Sequence, residues 1–373
     1  MNPMNLCRAG LCAALLLAPL IPASADTLSV QHVDGWIAGL SADGRTAVGQ
    51  TSDDFQTFRW TARDGIQLLG RGTWAPLGTR SGMPAISADG KVIASTILAD
   101  AGSYGTMGRW TVQGGWQQLT PPLPADGGIM DYEDASVFGM SRDGQVITGL
   151  YWRPGYSDGS AHGGRWSAAT NLVGMGSSGH SSRIDDANAD GSLLAGWDEH
   201  PIYGNRRAAI WLNGVLTVLH DSDWPSEASA VNAAGTVVVG YSADETRGFR
   251  ASATMWKWDG QQWQRTVLGT IDKTRKKGAA YSNGVSEDGS IVVGIARPDS
   301  MAPNSVGFIW TAAAGMQNIA DYLVANGTTV NPLLTLDNVT AITGDGSVMA
   351  VTGYQTRPAY AGRSLIVRRR ATP

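Results

Sequence analysis

Four of the five histidines in this 373-residue sequence lie between positions 162 and 220. Converging imidazoles can remove a proton, and a nearby arginine can neutralise a carboxylate, which is the chemistry of polysaccharide lyases that act on uronate-containing chains. The sequence therefore offers His180, His200, His220 and Arg183 as candidate catalytic residues. No fixed spacing connects them, so a role as ordinary loop histidines stays open, as does a glycoside hydrolase.

Aromatic side chains, carboxylates and arginines occur close to the same histidines. Aromatic rings stack on the faces of sugar rings while polar groups bind the hydroxyls, so this mixture is typical of a carbohydrate-binding surface. For each ring singly, packing against a neighbouring part of the fold is the alternative. The candidate ligand-binding residues are Trp74, Tyr151, Trp152, Tyr156, His162, Trp197, Glu199, Tyr203 and Trp224.

A short acidic stretch has the spacing that begins a calcium-binding loop, with Asp186, Asn188 and Asp190 as the candidate metal ligands. The twelfth position of that loop is Trp197, where a bidentate glutamate is required. A second motif, GMGSSG at 174–179, formally matches a dinucleotide-binding loop but lacks a surrounding β-α-β unit. The sequence therefore predicts no cofactor, and no metal beyond this calcium alternative.

The chain around these candidate residues contains seven copies of one pattern, in which an Asp-Gly or Ala-Gly turn precedes an apolar run. The pattern recurs about every 50 residues, which is typical of the four-stranded blades of β-propellers. Asp-Gly is a pair that tight hairpins favour, and runs such as TVVVG suit strands buried on both faces. The copies are Gly39–Gln50, Ala85–Thr96, Met140–Tyr151, Asp186–Trp197, Val231–Ser242, Val285–Ala296 and Ala341–Thr352.

Each copy except the last continues with a variable loop, an aromatic strand, a glycine turn and a final strand, as in FRWTARDGIQLLG at Phe58–Gly70. Each blade is therefore predicted to consist of strand a, a tight turn, strand b, a long loop, strand c, a glycine turn and strand d. The tryptophan of strand c is predicted to pack between neighbouring blades. These tryptophans are Trp60, Trp110, Trp166, Trp211, Trp256 and Trp310.

The seventh copy lacks its outer strand, and Thr27–Val33 near the N-terminus can supply it. Such an exchange closes the ring without leaving an unpaired strand edge. The predicted fold class is all-β, a single seven-bladed β-propeller of four-stranded blades over residues 26–373. Only the stretch NIADYLVAN at Asn318–Asn326 is expected to be helical.

This topology predicts two unequal rims. The a–b and c–d turns are short and share one rim, whereas the b–c loops and the d–a crossovers are long, variable and share the other. Binding residues usually lie on variable loops held by a rigid scaffold. Most of the candidate residues named above belong to the second rim, which is therefore predicted to bind the ligand.

The sequence resembles the HAF family of probable extracellular repeats. The resemblance rests on the order S-x-D-G-x-x-V-V-G, F-R-W-T, G-M and L, and it is clearest in Gly307–Gly327, which leads into AITGDGSVMAVTG. It extends over nearly all of the predicted mature chain. The resemblance implies an exported or surface-associated repeat protein, and it implies no particular activity.

The first residues have the pattern of a secretory signal peptide. Arg8 precedes the apolar run at Leu11–Ile21, and Ala23-Ser24-Ala25 supplies a cleavage site, so residues 1–25 are predicted to be removed. Both cysteines lie inside that segment, which leaves no disulfide in the mature chain. The expected location is periplasmic or extracellular, with no transmembrane segment after signal cleavage.

Three functions follow from these observations. The first is an exported propeller that binds a glycan or an envelope protein on the long-loop rim. The second is a carbohydrate-active enzyme, most plausibly a polysaccharide lyase, and the third is a structural or adhesive repeat protein without a pocket. The formal net charge of −4 argues against a nucleic-acid partner, because such proteins usually carry a basic excess.

Overall fold

The computed structural model describes residues 27–70, 82–98, 105–119, 135–152, 161–272, 278–299 and 304–370. In these ranges the chain forms seven four-stranded antiparallel sheets, which are the blades of a β-propeller. The predicted fold class is confirmed. The predicted signal peptide lies outside the described residues.

The first strand, β1 (Thr27–Asp34), precedes blade 1. Blade 1 consists of β2 (Trp36–Leu40), β3 (Thr46–Gln50), β4 (Thr57–Thr61) and β5 (Gly65–Leu68). Blade 2 consists of β6 (Ala85–Ile86), β7 (Val92–Leu98), β8 (Gly105–Thr111) and β9 (Gly115–Leu119). Blade 3 consists of β10 (Ala135–Met140), β11 (Ile147–Trp152), β12 (Ala161–Ser167) and β13 (Asn171–Gly174).

The remaining blades follow the same order. Blade 4 consists of β14 (Ser182–Ala187), β15 (Leu193–Glu199), β16 (Arg206–Leu212) and β17 (Val215–Val218). Blade 5 consists of β18 (Glu227–Val231), β19 (Val237–Asp244), β20 (Arg250–Trp258) and β21 (Trp263–Gly269). Blade 6 consists of β22 (Ala279–Val285), β23 (Ile291–Arg297), β24 (Val306–Thr311) and β25 (Gly315–Asn318), and blade 7 contributes β26 (Leu334–Ile342), β27 (Val348–Gln355) and β28 (Ala361–Arg370).

The predicted exchange of a strand closes the ring. Strand β1 pairs antiparallel with β28, with Thr27 opposite Arg370 and Asp34 opposite Arg363. Blade 7 therefore has the order β26, β27, β28 and β1, and main-chain hydrogen bonds join the two ends of the described chain. The predicted helix also forms, as α1 (Ile319–Ala325), because the Asn318 side chain accepts the Ala320 N–H at its start.

The repeated Asp-Gly pattern makes the same turn in most blades. In blade 1 the Ser41 hydroxyl donates to Asp43 at 2.7 Å and accepts the Thr46 N–H at 3.0 Å. Asp43 also accepts the Arg45 N–H at 2.9 Å, and Gly44 supplies the left-handed φ of 62°. The equivalent residues Ser87, Ser141, Ser286 and Thr343 make the same contacts.

Blade 5 shows how the Ala-Gly variant keeps this turn without its aspartate. The Asn232 side-chain oxygen accepts the N–H groups of Thr236 and Val237 at 2.8 and 3.0 Å. Glu287 reaches across from blade 6 and accepts the Ala234 N–H at 2.8 Å. One amide side chain therefore performs the tasks that a serine and an aspartate share elsewhere.

The tryptophans of strand c pack between blades, as predicted. Trp256 is fully buried and lies in one cluster with Leu193 and Ile210 of the preceding blade. Trp211 is fully buried and packs with Val146, again from the preceding blade. The six strand-c tryptophans each fill the space between neighbouring blades that widens away from the axis, which explains why the same residue recurs.

The seven inner strands surround the axis of the ring. A cavity of about 340 Å³ lies among them and is lined by residues from β2, β6, β10, β14, β18, β22 and β26 and from the segment before β6. Each inner strand runs from the long-loop rim toward the short-turn rim. Side chains early in these strands therefore lie near the long-loop end of the cavity.

Candidate functional site

The long-loop rim presents several of the predicted ligand-binding residues to solvent. Trp152, Trp224 and Tyr203 are 36%, 45% and 56% exposed. Trp74 and Tyr156 lie outside the described residues. The binding role of these five residues stays a prediction.

Tyr151 and Trp197 are buried, so their predicted placement on exposed loops is wrong. Tyr151 lies in β11 and is 1% exposed, and Trp197 lies in β15 and is 6% exposed. Both strands extend farther toward the rim than the repeat indicates, because pairing continues to Trp152 and Glu199. Tyr151 belongs to a hydrophobic cluster, and the guanidinium of Arg206 lies 4.7 Å from the Trp197 ring centroid.

The other two predicted binding residues help to shape the rim from within. The His162 ring lies 5.7 Å from that of Tyr151, on the paired strand β12. Glu199 accepts the Ser181 N–H at 3.0 Å, which ties the end of β15 to the crossover that enters blade 4. Both side chains are half-buried.

The three candidate catalytic histidines have different surroundings. His200 Nδ1 accepts the N–H groups of Ile202 and Tyr203 at 3.0 and 3.2 Å, so this imidazole shapes the loop after β15. His220 is half-buried, and burial lowers its pKa. His180 is exposed. Within the described ranges no three His, Cys, Asp or Glu side chains are grouped to hold a metal ion, and the catalytic role of these histidines stays a prediction.

The three candidate calcium ligands bind groups of the protein itself. Asp186 accepts the Val231 N–H at 3.1 Å, and Asn188 accepts the Leu193 N–H at 3.0 Å. Asp190 accepts the Ser192 N–H at 3.0 Å. Asn188 and Asp190 thus repeat the turn contacts of the other blades, and Asp186 belongs to the inner strand.

A buried ion-pair network holds the loops of blade 4 in place. Asp198 is fully buried, and its carboxylate accepts hydrogen bonds from the Ser178 hydroxyl and the Arg207 guanidinium, each at 2.7 Å. Arg207 also donates to Asp221 at 2.8 Å, and His200 Nε2 lies 3.7 Å from the same carboxylate. Removing one member of such a network leaves a buried charge without its partner, so the network makes the loops rigid.

Four exposed apolar side chains on the described loops of this rim form the group that we call the aromatic patch. We define it as Ile202, Tyr203, Trp224 and Phe249, which are 78%, 56%, 45% and 43% exposed. The rings of Trp224 and Phe249 are stacked, with centroids 4.9 Å apart and planes 11° apart. Asn205 donates to the Ser222 carbonyl at 3.2 Å and so joins the two blade 4 loops that carry the patch.

Phe249 has a strained backbone. Its φ is 61°, in the left-handed region, directly after Gly248 at 68°. A bulky residue in that region is an outlier, and such strain persists only where the surrounding structure enforces it. Here the Phe249 N–H donates to the Asp244 carbonyl at 2.8 Å, which closes the loop and keeps the ring against Trp224.

The short-turn rim also carries one aromatic pair. Trp258 and Trp263 face each other across the β20–β21 hairpin, with centroids 5.6 Å apart, and Trp258 is 39% exposed. Direct cross-strand ring pairs stabilise hairpins. The pair therefore has a structural explanation that the loop-borne patch lacks.

Charged side chains cluster where the long-loop rim meets the central cavity. Arg183 donates to Asp185 at 2.7 Å and forms a short ion pair with Glu227. Arg206 pairs with the second Glu227 oxygen at 2.9 Å. The Arg183 guanidinium also lies 4.2 Å from the Phe138 ring centroid. When both carboxylates are ionised, the two arginines balance them and the cluster carries no net formal charge.

Asp185 is the member of this cluster whose second carboxylate oxygen has no hydrogen-bond partner among the described residues. That oxygen is Oδ2, and the residue is 8% exposed. Burial raises the pKa of Asp185 to about 7, although Arg183 acts in the opposite direction. Burial also raises the pKa of the nearby Tyr241 hydroxyl, so that group stays protonated at neutral pH.

A ring of β-bulges decides which side chains reach the cavity. In six inner strands the pairing register shifts by one residue at the same place in the repeat. Pro84 occupies the corresponding position before β6. These positions, which we call the bulge belt, all line the cavity; they are Ala38, Pro84, Phe138, Asp185, Ser229, Asn283 and Thr340.

Sequence reasoning missed the belt, Glu227, Arg206 and Phe249. A signal for the belt exists, because each belt residue stands three positions before the Ser, Asn or Thr that opens the a–b turn. The bulge itself leaves no signature in single-sequence periodicity. Phe249 carries no motif, and only the loop geometry brings it to Trp224.

The described part of the chain contains no helix that is long and apolar enough to span a membrane. Neither family models nor curated proteins give a match to this sequence. Solved structures do match its fold. A chain from a structural analysis of two prolyl endopeptidases matches with a TM-score of 0.55 and 11% identity, over 92% of this chain and 47% of that one.

Two propeller domains match over most of both chains. The propeller domain of the trilobed protease from Pyrococcus furiosus has a TM-score of 0.54 and 9% identity, over 89% of this chain and 93% of that one. The propeller domain of Cps50 (Swd1) from Myceliophteria thermophila has a TM-score of 0.50 and 10% identity, over 91% and 99%. At such identities the similarity establishes the β-propeller fold and nothing about function.

Proposed function

We propose that this chain is an exported binding propeller that captures an envelope protein through the aromatic patch on its long-loop rim. The observation that carries the proposal is the exposed stack of Trp224 on Phe249, held in place by a strained backbone. A bulky residue in the left-handed region is a backbone outlier, and strain of this kind supports a functional constraint on the loop. Export rests on the signal-like residues 1–25 and on the resemblance to the HAF family.

The composition of the patch supports a protein partner over a glycan. Tyr, Trp and Phe are the residues that protein interfaces concentrate at their centres. Ile202 is the most exposed member, and an aliphatic side chain gives a sugar ring no stacking surface. The stacked pair also covers one face of each ring, which leaves less flat surface for a pyranose.

Site-specific photo-crosslinking tests the proposal. A photoreactive phenylalanine at position 203 is expected to yield a discrete crosslinked protein from an envelope fraction, and the same probe at position 258 is expected to yield none. Phe249→Ser should abolish the product because it removes half of the stack. Trp258→Ala is the matched control, since it removes a similarly exposed ring from the opposite rim.

Two results would contradict the proposal. Crosslinking that survives Phe249→Ser and Trp224→Ala together would mean that the patch is not the contact surface. Saturable binding of the wild type to a glycan array, lost in the same double variant, would assign the patch to a carbohydrate instead.

A further inference from the structure

We propose that the bulge belt binds a small neutral polyol, such as a monosaccharide, with Asp185 accepting a hydrogen bond from a ligand hydroxyl. This site is separate from the aromatic patch and does not depend on it. Its volume of about 340 Å³ lies at the small end of the range for ligand pockets.

Asp185 is the belt residue that most directly supports a binding role. A buried acceptor without a donor costs roughly 1–3 kcal/mol, and native structures rarely leave one unexplained. Asp185 lines the cavity, and its Oδ2 is such an acceptor within the described residues. Oδ2 is closed to solvent in this conformation, so a ligand hydroxyl meets the carboxylate only when Asp185 turns within its ion pair with Arg183.

The other polar belt residues also present acceptors. The Asn283 side-chain NH2 group donates to Asn338 Oδ1 at 2.6 Å and to the Val339 carbonyl at 3.2 Å. Its side-chain oxygen can therefore accept a hydrogen bond from a ligand. The Thr340 hydroxyl donates to the Ile37 carbonyl at 2.7 Å and can still accept. A ligand that fits this side of the cavity must therefore carry several hydrogen-bond donors.

The belt has two unlike halves. Blades 4 to 7 contribute Asp185, Ser229, Asn283 and Thr340, and blades 1 to 3 contribute Ala38, Pro84 and Phe138. A sugar ring has the same division, with hydroxyls at its edge and C–H groups on its face. The arrangement thus matches an amphipathic polyol better than a wholly polar or a wholly apolar molecule.

The charge balance selects a neutral ligand. Arg183 and Arg206 already compensate Asp185 and Glu227 through ion pairs. An ionic ligand would bring an uncompensated charge into a buried site, which costs several kcal/mol. What Asp185 lacks is a donor, and a hydroxyl supplies one without adding charge.

Isothermal titration calorimetry on the purified full chain tests this inference. The panel consists of glucose, galactose, mannose, N-acetylglucosamine, inositol and glycerol, with glucuronate as the charged comparison. We expect saturable one-to-one binding of at least one neutral member. Ser229→Ala and Asp185→Asn should each weaken it by about tenfold or more, which corresponds to about 1.4 kcal/mol.

The variants separate this site from the aromatic patch and from a folding defect. Phe249→Ser is expected to leave polyol binding unchanged, whatever its effect on partner capture. Ser229→Ala is a small change beside the cavity, and near-ultraviolet circular dichroism checks the fold of each variant. Absence of saturable binding across the neutral panel, tighter binding of glucuronate, or binding indifferent to both belt substitutions would each overturn the inference.

Discussion

The substitution Asp337→Asn is expected to stabilise the protein at neutral and alkaline pH and to have little effect near pH 4. Asp337 lies at a second bulge of β26, between Leu336 and Asn338, and is half-buried. Burial raises its pKa from 3.8 to about 6. The folded state therefore binds the proton more tightly than the unfolded chain does.

The sign and size follow from proton linkage. Where the native state holds more protons than the unfolded state, stability falls as pH rises. The loss should begin near pH 3.8 and be complete above about pH 6. A difference of about two pKa units corresponds to roughly 3 kcal/mol at most, and partial exposure reduces this toward roughly 1–2 kcal/mol. Asparagine has nearly the same shape and cannot ionise, so it removes the loss.

The assay is urea unfolding followed by tryptophan fluorescence at pH values from 2 to 8, for wild type, Asp337→Asn and Asp288→Asn. The variant should gain stability over the wild type as pH rises from 4 to 7, without a change in the urea dependence. Asp288→Asn is the control of opposite sign, because the Ser290 N–H and the Ser286 hydroxyl lower the pKa of Asp288 to about 2. A difference between wild type and Asp337→Asn that stays flat over this range would refute the reasoning.

The Asp288→Asn control is expected to change stability over a different pH range. A lowered native pKa contributes stability above the unfolded value of 3.8, and that contribution disappears as pH falls toward 2. This variant should therefore be less stable than the wild type at pH 7 and should approach it in acid. If both substitutions shifted stability in the same direction with pH, a general charge effect would replace the local explanations.

Two further predictions concern the repeat. Trp256→Ala should cost about 3–5 kcal/mol in urea unfolding because the ring is fully buried between blades, whereas Trp258→Ala, at 39% exposure, should cost far less; equal losses would contradict the packing argument. Asn232→Ala should lower the free energy of unfolding by about 1–3 kcal/mol, because it leaves the Thr236 and Val237 N–H groups without their side-chain acceptor. A loss below about 0.5 kcal/mol, the size of a surface substitution, would show that the turn does not depend on this amide.

Local chemistry made the fold predictable from the sequence. Each Ser-x-Asp-Gly turn is closed by side chains within five residues of one another, so the hairpins can be recognised without tertiary information. The tryptophan of strand c and the β-branched runs repeat because every blade junction poses the same packing problem. The pairing of the N-terminal strand with blade 7 was predictable because the seventh copy of the repeat lacks an outer strand of its own.

The candidate site was predicted less well. The long-loop rim does carry exposed Trp152, Tyr203 and Trp224, but Tyr151 and Trp197 are buried because their strands continue pairing beyond the repeated pattern. Strand length at the rim depends on the partner strand, and a single sequence does not show that dependence. Phe249 became visible only through its contact with Trp224.

The sequence by itself determined the number of blades, the order of strands and the division into two rims, because these depend on interactions between residues close in the chain or on a period that repeats. Only the tertiary structure decided the chemistry at the centre. Arg183 and Asp185 lie on the inner strand of blade 4, with Asp185 at a bulge, and Glu227 lies on the inner strand of blade 5. The packing of these neighbouring blades brings the three side chains together, and no local pattern encodes that packing.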